Sequence, residues 1–259
     1  MLYNYHTHTS RCNHAAGTDE DYVKAAIDAG YSVLGFSDHA PYKHISHPRS
    51  RMEYEQLDDY VSSILFLKEK YKDQIEIKLG LETEWYPGFY EEKKELLRKV
   101  DYLILGQHFQ KPDGTGSYFA PCTDEDLELY CAQILEGLET GLFTYLCHPD
   151  VFMFKQKHFD ETCEKISRKI IEKAVETNTP MEINLQGIRR GTAVFDNGKT
   201  EYYYPHKDFW KIAAEYPVTC IWGIDAHDPE WIKESGEDRR KAEEELKDLG
   251  LNILEDYRI

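Results

Sequence analysis

The sequence predicts an α/β fold in which parallel strands close, or nearly close, into a barrel with helices outside. Three observations predict it. Seven short apolar runs recur along the chain with helical patterns between them, the mark of a parallel sheet with helical crossovers. The length, 259 residues, is normal for one α/β barrel. No crossover carries Gly-x-Gly-x-x-Gly, so a dinucleotide-binding fold has little support. No repeat, low-complexity tract or Ser/Gly linker interrupts the pattern, and residues 1–259 are read as a single domain.

The first run is Leu2 to His8. A helix follows over Thr18 to Ala29, opened by Thr-Asp-Glu, an N-cap with an acidic first turn, and stopped by Gly30. Ser32 to Ser37 is the second run, and Leu57, Tyr60, Val61, Ile64 and Leu65 then recur at helical spacing. Ile75 to Thr83 is the third, with Glu91 to Lys99 helical behind it; Tyr102 to Gln107 is the fourth. Thr123 caps a helix with Leu127, Tyr130, Ile134 and Leu138 on one face. Phe143 to Cys147 is the fifth run, followed by a stripe of Cys163, Ile166, Ile170 and Ala174. Met181 to Leu185 and Val218 to Ile224 are the sixth and seventh, Glu234 to Leu249 is helical, and Leu251 to Leu254 reads as a short last strand. Between the last two runs, Asp196-Asn197-Gly198-Lys199 reads as a hairpin turn that, with Thr200 to Tyr204, makes an excursion beside the barrel mouth.

Composition narrows the function. Thirty-one basic against forty-eight acidic residues give a net charge of −17, and such a field repels polyanions. A small substrate is expected, with no nucleic-acid partner. No run approaches the roughly 18 apolar residues of a membrane span, and the start Met-Leu-Tyr-Asn-Tyr-His is no secretory signal. Six cysteines without a C-x-x-C pair read as reduced thiols of a cytoplasmic protein.

The histidines carry the chemistry. Seven of eleven lie at, or just after, the end of an apolar run: His6, His8 and His14 at the first, His39 at the second, His108 at the fourth, His148 at the fifth and His227 at the seventh. Glu82 and Glu84 stand at the third, Asp225 at the last. Residues two apart on a strand share a face, so His6 projects with His8, and Asp225 with His227. In α/β barrels the chemistry sits at the C-terminal ends of the strands. Imidazole and carboxylate donors suit Zn, Mn or Fe. The set exceeds the four ligands of one tetrahedral ion, so two or three divalent ions are expected. Glu82 and Glu84 both face inward, and spacing does not choose between them.

His6-Thr7-His8, Ser37-Asp38-His39, Gly80-Leu81-Glu82, Gly106-Gln107-His108, Cys147-His148-Pro149-Asp150 and Gly223-Ile224-Asp225-Ala226-His227 resemble, in order, the motifs of the PHP (polymerase and histidinol phosphatase) superfamily. Ile224 departs from the small polar residue often found there. Within the superfamily the chain resembles the monofunctional histidinol-phosphate phosphatases, through Arg11-Cys12-Asn13-His14, Asp38-His39-Ala40-Pro41, Phe152 and Lys155 after His148, and Glu182-Ile183-Asn184 followed by Gly187, Arg189 and Tyr204-Pro205. The resemblance implies a distorted seven-stranded, TIM-barrel-like (β/α) barrel with a trinuclear centre. By motif, His6, His8, Glu82 and Asp225 would hold the first ion, Glu82, His108 and His148 the second, and His14, His39 and His227 the third. It selects Glu82 over Glu84 as the bridging ligand.

The implied activity is hydrolysis of L-histidinol phosphate, a small phosphate ester, by a metal-bridging hydroxide. Another small ester or a nucleotide, and a catalytically silent metal-binding domain, are the competing readings. Asp38, His39, Asp225 and His227 are candidates for delivering the proton to the leaving alcohol, Asp38 being equally a partner that orients a ligand imidazole. Arg189 is expected to clamp the phosphate through its planar fork, with Gly187 allowing close approach. Lys155 and His44 are further candidates for substrate contact. His158, His206 and the charged runs Glu-Glu-Lys-Lys and Arg-Arg-Lys-Ala-Glu-Glu-Glu are expected at the surface.

Overall fold

The computed structural model describes residues 2–47 and 49–259. Among them, seven parallel strands form one sheet in the order β1 (Tyr3–Asn4), β2 (Val33–His39), β3 (Glu76–Thr83), β4 (Tyr102–Leu105), β5 (Tyr145–Leu146), β6 (Met181–Asn184) and β9 (Cys220–Gly223). Spatial order follows chain order, each strand pairing with the next in sequence, the usual pattern for short crossover connections. The excursion after the sixth strand is an antiparallel hairpin, β7 (Thr192–Val194) with β8 (Thr200–Tyr202). The helices are α1 (Asp19–Asp28), α2 (Leu57–Lys70), α3 (Tyr90–Leu97), α4 (Asp124–Glu139), α5 (Glu161–Glu176), α6 (Gln186–Arg190), α7 (Lys207–Ala213) and α8 (Pro229–Leu246).

Local chemistry explains the boundaries. Thr18 and Thr123 each accept the backbone N–H three residues on, while Asp21 and Asp126 reach back to the threonine N–H; these reciprocal caps start α1 and α4. Asp228 caps α8 with Pro229 in its first turn, so that helix begins five residues before the Glu234 expected from its pattern. The span Leu251 to Leu254 makes only a bridge, Ile253 to Cys220, not the expected strand.

The barrel closes between its first and last strands mainly near the mouth. Thr7 pairs with Ala226, and the His8 N–H donates to the Ala226 carbonyl at 2.9 Å. Lower down, a side chain completes the seam: Asn4 Oδ1 accepts from the Ile224 N–H at 2.9 Å. The base is plugged by tyrosines. Tyr3, Tyr5, Tyr102 and Tyr145 cluster with Ile104 and Ile221, and Tyr257 and Ile259 pack against them. Tyr102 donates to the Tyr5 carbonyl at 2.7 Å. The larger apolar core lies between the strands and the helices, from Leu34 and Phe36 through Leu105, Ile134 and Ile170 to Phe209 and Trp210.

Two surface expectations fail. Lys93, inside the Glu-Glu-Lys-Lys run, is fully buried. Its ammonium lies 4.2 Å from the centre of the Tyr42 ring and donates to Thr83 Oγ1, and burial pushes its pKa down to about 7. His206 is also fully buried. It caps α7, accepting from the Asp208 N–H, and stacks on Phe159. His158 is exposed, as expected.

Burial lowers the His206 pKa to about 4 from 6.5, so the folded state holds the ring neutral. That stability is present above about pH 6.5 and lost as the pH falls toward 4. Asparagine also caps helices but does not titrate. Between pH 7.5 and 4.5, wild type is expected to lose about 2–3 kcal/mol more unfolding free energy than His206→Asn. Parallel urea titrations check this; equal losses would exclude His206 as a source of acid sensitivity.

Candidate metal centre

The strand ends bring the expected residues together. β2 and β3 are in register at His39 and Glu82, and His39 Nδ1 lies 2.9 Å from Glu82 Oε2. On the other side of that carboxylate, His148 Nε2 and His108 Nε2 lie 2.8 and 3.1 Å from Oε1. His6 and His8 project inward together, each with Nε2 at 3.6 Å from Glu82 and at 3.5 and 3.1 Å from Asp225 Oδ1. His14, His39 and His227 form a further group of convergent nitrogens nearer solvent. His148 and Asp225 both have positive φ, 30° and 54°; such strained backbone in non-glycine residues clusters at functional sites.

Five of the seven rings are aimed by what their outer nitrogen touches; His39 instead turns Nδ1 toward Glu82, and His148 Nδ1 is buried without a hydrogen-bond partner among the described residues. His6 Nδ1 meets Glu182 Oε1 at 2.8 Å, His8 Nδ1 meets Asp38 Oδ1 at 3.4 Å, and His108 Nδ1 meets Glu84 Oε1 at 3.1 Å. His14 Nδ1 meets the Cys12 carbonyl at 2.8 Å, and His227 Nδ1 meets the Asp225 carbonyl at 3.1 Å. In all five, Nδ1 faces outward and Nε2 is left for the cluster, the arrangement that supports metal-binding histidine.

The donor set fits divalent cations. His6 Nε2, His8 Nε2, Glu82 Oε2 and Asp225 Oδ1 are buried and, among the described residues, without a hydrogen-bond partner, which is costly unless something else satisfies them. His108 Nε2 and His148 Nε2 are 3.2 Å apart, and His14 Nε2 and His227 Nε2 3.0 Å. Tetrahedral ligands at metal–nitrogen distances of 2.0–2.1 Å stand roughly 3.3 Å from one another. The electrostatics agree. Burial would raise Glu82 and Asp225, yet the imidazoles around them hold both well below the usual carboxylate range. Burial and the neighbouring His8 push His39 down to about 3, while Glu82 and Glu84 overcome burial to push His108 up to about 10. A cluster whose rings are driven in opposite directions cannot be neutralised by protons evenly; cations at its centre would do so.

The geometry separates Glu82 from Glu84. Glu84 receives two bonds from Arg51, at 3.1 and 2.9 Å, and one from the Tyr42 hydroxyl at 2.8 Å, besides the contact with His108. Those four contacts occupy the acceptor positions of a carboxylate. Glu82 is the carboxylate left facing the imidazoles.

Other expectations are corrected. Asp38 is fully buried behind His8, accepting from Thr9 Oγ1 and, at 2.8 Å, from the His39 N–H, and it does not line the cavity. Arg189 points away from the mouth. It is bonded at 2.5 Å to Asp238 and at 3.0 Å to Glu234, over the Trp231 ring. In a five-residue helix, consecutive side chains diverge by about 100°, so Arg190 faces the mouth instead. Gly187 makes room for a different neighbour, since a Cβ there would stand 1.8 Å from the Tyr204 carbonyl oxygen. His44 is exposed and does not line the cavity. Lys155 does line it.

Sequence reasoning missed Glu182 as an orienting partner. Glu182 is fully buried and also accepts from the His148 N–H at 3.1 Å. A visible signal existed: Glu182 sits two residues before Asn184 on a strand with an apolar outward face, so its side chain had to enter the barrel. The cluster floors a cavity of about 340 Å³ whose walls include Arg49, Lys155, Arg190, Phe109, Phe119 and Phe154.

A barrel of parallel strands with this cluster at its mouth defines a class, the (β/α)-barrel proteins whose histidine- and carboxylate-lined mouth suits divalent cations. The PHP domain matches residues 4–186, most of the chain, and the chain belongs to that family. A probable histidinol-phosphatase of Deinococcus radiodurans is 29% identical over 253 residues, covering 95% of this chain and 92% of that protein. The histidinol-phosphatase of Bacillus subtilis is 31% identical over 131 residues, 47% of each. The crystal structure of histidinol phosphate phosphatase from Lactococcus lactis, complexed with zinc, L-histidinol and phosphate, has the same fold, with a TM-score of 0.73 at 20% identity over 98% of this chain and 95% of that one.

Glu182→Gln keeps the size of the side chain but removes the charge that fixes the His6 tautomer. Loss of such a partner typically costs 10–100-fold in metal affinity, and that loss is expected for zinc, measured by chelator competition. Unchanged affinity would exclude the role.

Proposed function

We propose that this chain is a metal-dependent phosphomonoesterase that converts L-histidinol phosphate to L-histidinol and inorganic phosphate, a step of histidine biosynthesis. The observation that carries the reading is the convergence of Glu82, Asp225, six buried imidazoles and the exposed His14, with unpartnered atoms turned inward, at the floor of a cavity with cationic and aromatic walls. The relatives of matching length are histidinol-phosphatases, and the Lactococcus lactis protein of the same fold was solved with zinc, L-histidinol and phosphate.

His6, His8, Glu82 and Asp225 would hold one ion, Glu82, His108 and His148 a second, and His14, His39 and His227 a third. Bound divalent ions lower the pKa of coordinated water toward neutrality and offset the charge of a phosphate ester, which otherwise repels a nucleophile.

The chain's own groups do the rest. Arg190 lines the same cavity as Asp225 and His227, its Nε and one terminal nitrogen 3.3 and 3.1 Å from Gln186 Oε1 and its guanidinium 5.8 Å from the centre of the Phe154 ring. With Arg49 and Lys155 it binds the phosphate oxygens. Phe109, Phe119 and Phe154 supply flat apolar walls on which an imidazole can stack. The proton for the leaving alcohol comes from among His39, Asp225 and His227, which all line the cavity, rather than from Asp38, which does not. A volume of about 340 Å³ suits one small ester, at the lower end of small-molecule sites.

Protein loaded with zinc, manganese or iron is expected to release phosphate from L-histidinol phosphate with a kcat/KM at least tenfold above that for nucleoside monophosphates or p-nitrophenyl phosphate. Equal rates on all three would overturn the substrate, and no release from any would overturn the activity. Loss of a charged hydrogen bond to phosphate costs about 1.5–3 kcal/mol. Arg190→Met is therefore expected to lower kcat/KM roughly 10–150-fold, whereas Arg189→Lys stays near wild type. The reverse ranking would return the phosphate contact to Arg189.

A further inference from the structure

A buried ion pair behind the site serves a purpose that stability does not explain. Arg51 and Glu84 are each 1% exposed. A pair so deeply desolvated is commonly no more stabilising than apolar residues of the same size, so its retention calls for another role. The contacts of Arg51 supply one. Its two terminal nitrogens grip both Glu84 oxygens, at 2.9 and 3.1 Å, and one also donates to the Ala40 carbonyl at 3.0 Å. Its plane lies over the Tyr42 ring, 4.9 Å from the centre, and Tyr42 completes the hold on Glu84 with its hydroxyl at 2.8 Å. The carboxylate thus has one remaining direction, toward His108 Nδ1 at 3.1 Å. The backbone of Arg51 is tied as well, its carbonyl accepting from Asn13 Nδ2 at 3.3 Å, one residue before His14. Its neighbours in sequence, Arg49 and Ser50, line the substrate cavity.

We infer that Arg51 is a positioning residue that joins three barrel-mouth loops, so that the orientation of His108, the seat of His14 and the placement of Arg49 and Ser50 over the substrate are set together. Through Glu84 it fixes the His108 tautomer with the proton on Nδ1 and leaves Nε2 for the cluster. Through its backbone it holds the loop after β2 against the loop that carries His14. The planar fork is essential, because a single ammonium cannot hold both oxygens of Glu84 and the Ala40 carbonyl at once. The inference rests on the metal-centre reading. By linkage, zinc at the Glu82, His108 and His148 position and phosphate ester under Arg49 favour the same loop arrangement.

The test uses the whole protein and three readouts: zinc affinity by chelator competition, kcat and KM taken separately with L-histidinol phosphate, and the histidine tautomers of wild type by 15N NMR. Arg51→Met and Arg51→Lys are both expected to lose 10–100-fold in zinc affinity and to raise KM. Arg51→Met/Glu84→Leu, which removes both charges, is expected to keep a thermal midpoint near wild type while losing affinity and KM as the single variants do. In zinc-loaded wild type, His108 is expected to carry its proton on Nδ1 alone. Full rescue by lysine, a double variant that binds zinc and turns over like wild type, or a proton on His108 Nε2 would each overturn the inference; the last is read without any variant. A wild-type protein that binds no zinc would overturn the metal-centre reading itself.

Discussion

One carboxylate organises the mouth of this barrel. Glu82 ends the third strand, and among the described residues five imidazoles, those of His6, His8, His39, His108 and His148, lie within 3.6 Å of its oxygens. They come from four other strands or the loops after them. A buried anion of this kind is tolerated only where positive charge surrounds it. The strands must therefore end at matching heights, and the register of β2 on β3 is what sets His39 beside Glu82. The approach is close enough that backbone had to yield: a Cβ on Gly106 would fall 2.1 Å from Glu82 Oε1, and one on Gly223 would fall 1.6 Å from Glu182 Oε1. Glycine at the ends of the fourth and last strands is thus a condition for fitting two carboxylates into one barrel mouth, quite apart from any turn.

Around that anion the histidines are layered. Apart from His39, whose Nδ1 faces Glu82, the inner layer turns Nε2 inward; the outer layer, made of Asp38, Glu84, Glu182 and the carbonyls of Cys12 and Asp225, meets Nδ1 of five rings. The outer groups come from positions one or two residues from an inner-layer residue, or from the sixth strand, which contributes none to the inner layer. Strand alternation explains this economy. A strand that sends one side chain to the cluster sends the next but one to the same face, a few ångströms higher or lower, where it can reach a neighbouring strand's imidazole. Glu84 supports His108 in this way, and Glu182 supports His6 and the backbone of His148.

The inner layer was legible in the sequence and the outer one largely was not, for a physical reason. Inner residues recur at strand ends, so apolar runs ending in histidine or carboxylate mark their places, and the seven runs coincide with the seven strands of the sheet. An outer partner is defined by which ring it meets across the barrel, and that depends on twist and on strand order rather than on local spacing. Asp38 is open to two roles from its sequence position alone, and its burial behind His8 favours the orienting one. Arg189 and Arg190 differ by one position and by opposite sides of a five-residue helix, which pattern alone does not orient. His206 and Lys93 sit among polar neighbours in sequence, yet α7 and α3 turn them inward; Phe209, Trp210, Ile212 and Ala213 were the signal that α7 existed.

Those inward polar groups share a feature with the metal centre. Each is a polar or charged side chain that solvent does not reach, and each is held by particular neighbours: Lys93 by the Tyr42 ring and Thr83, Arg51 by Glu84, and Asp150 by the His206 N–H at 2.7 Å and the Trp210 indole at 2.9 Å. Asp150 follows His148 by two residues, and burial pushes its pKa up to about 7 even with those donors. None of these contacts is the cheapest way to fill a core, since apolar residues of equal volume carry no desolvation cost. What they provide is direction. A packed apolar side chain resists compression but slides; a carboxylate bonded by two or three donors has one orientation. Polar burial is concentrated beneath and beside the mouth, where ring angles matter, while the barrel base is filled by tyrosines and branched side chains. The distribution of buried polarity along the barrel axis is therefore itself a map of where this protein needs geometry to be unique.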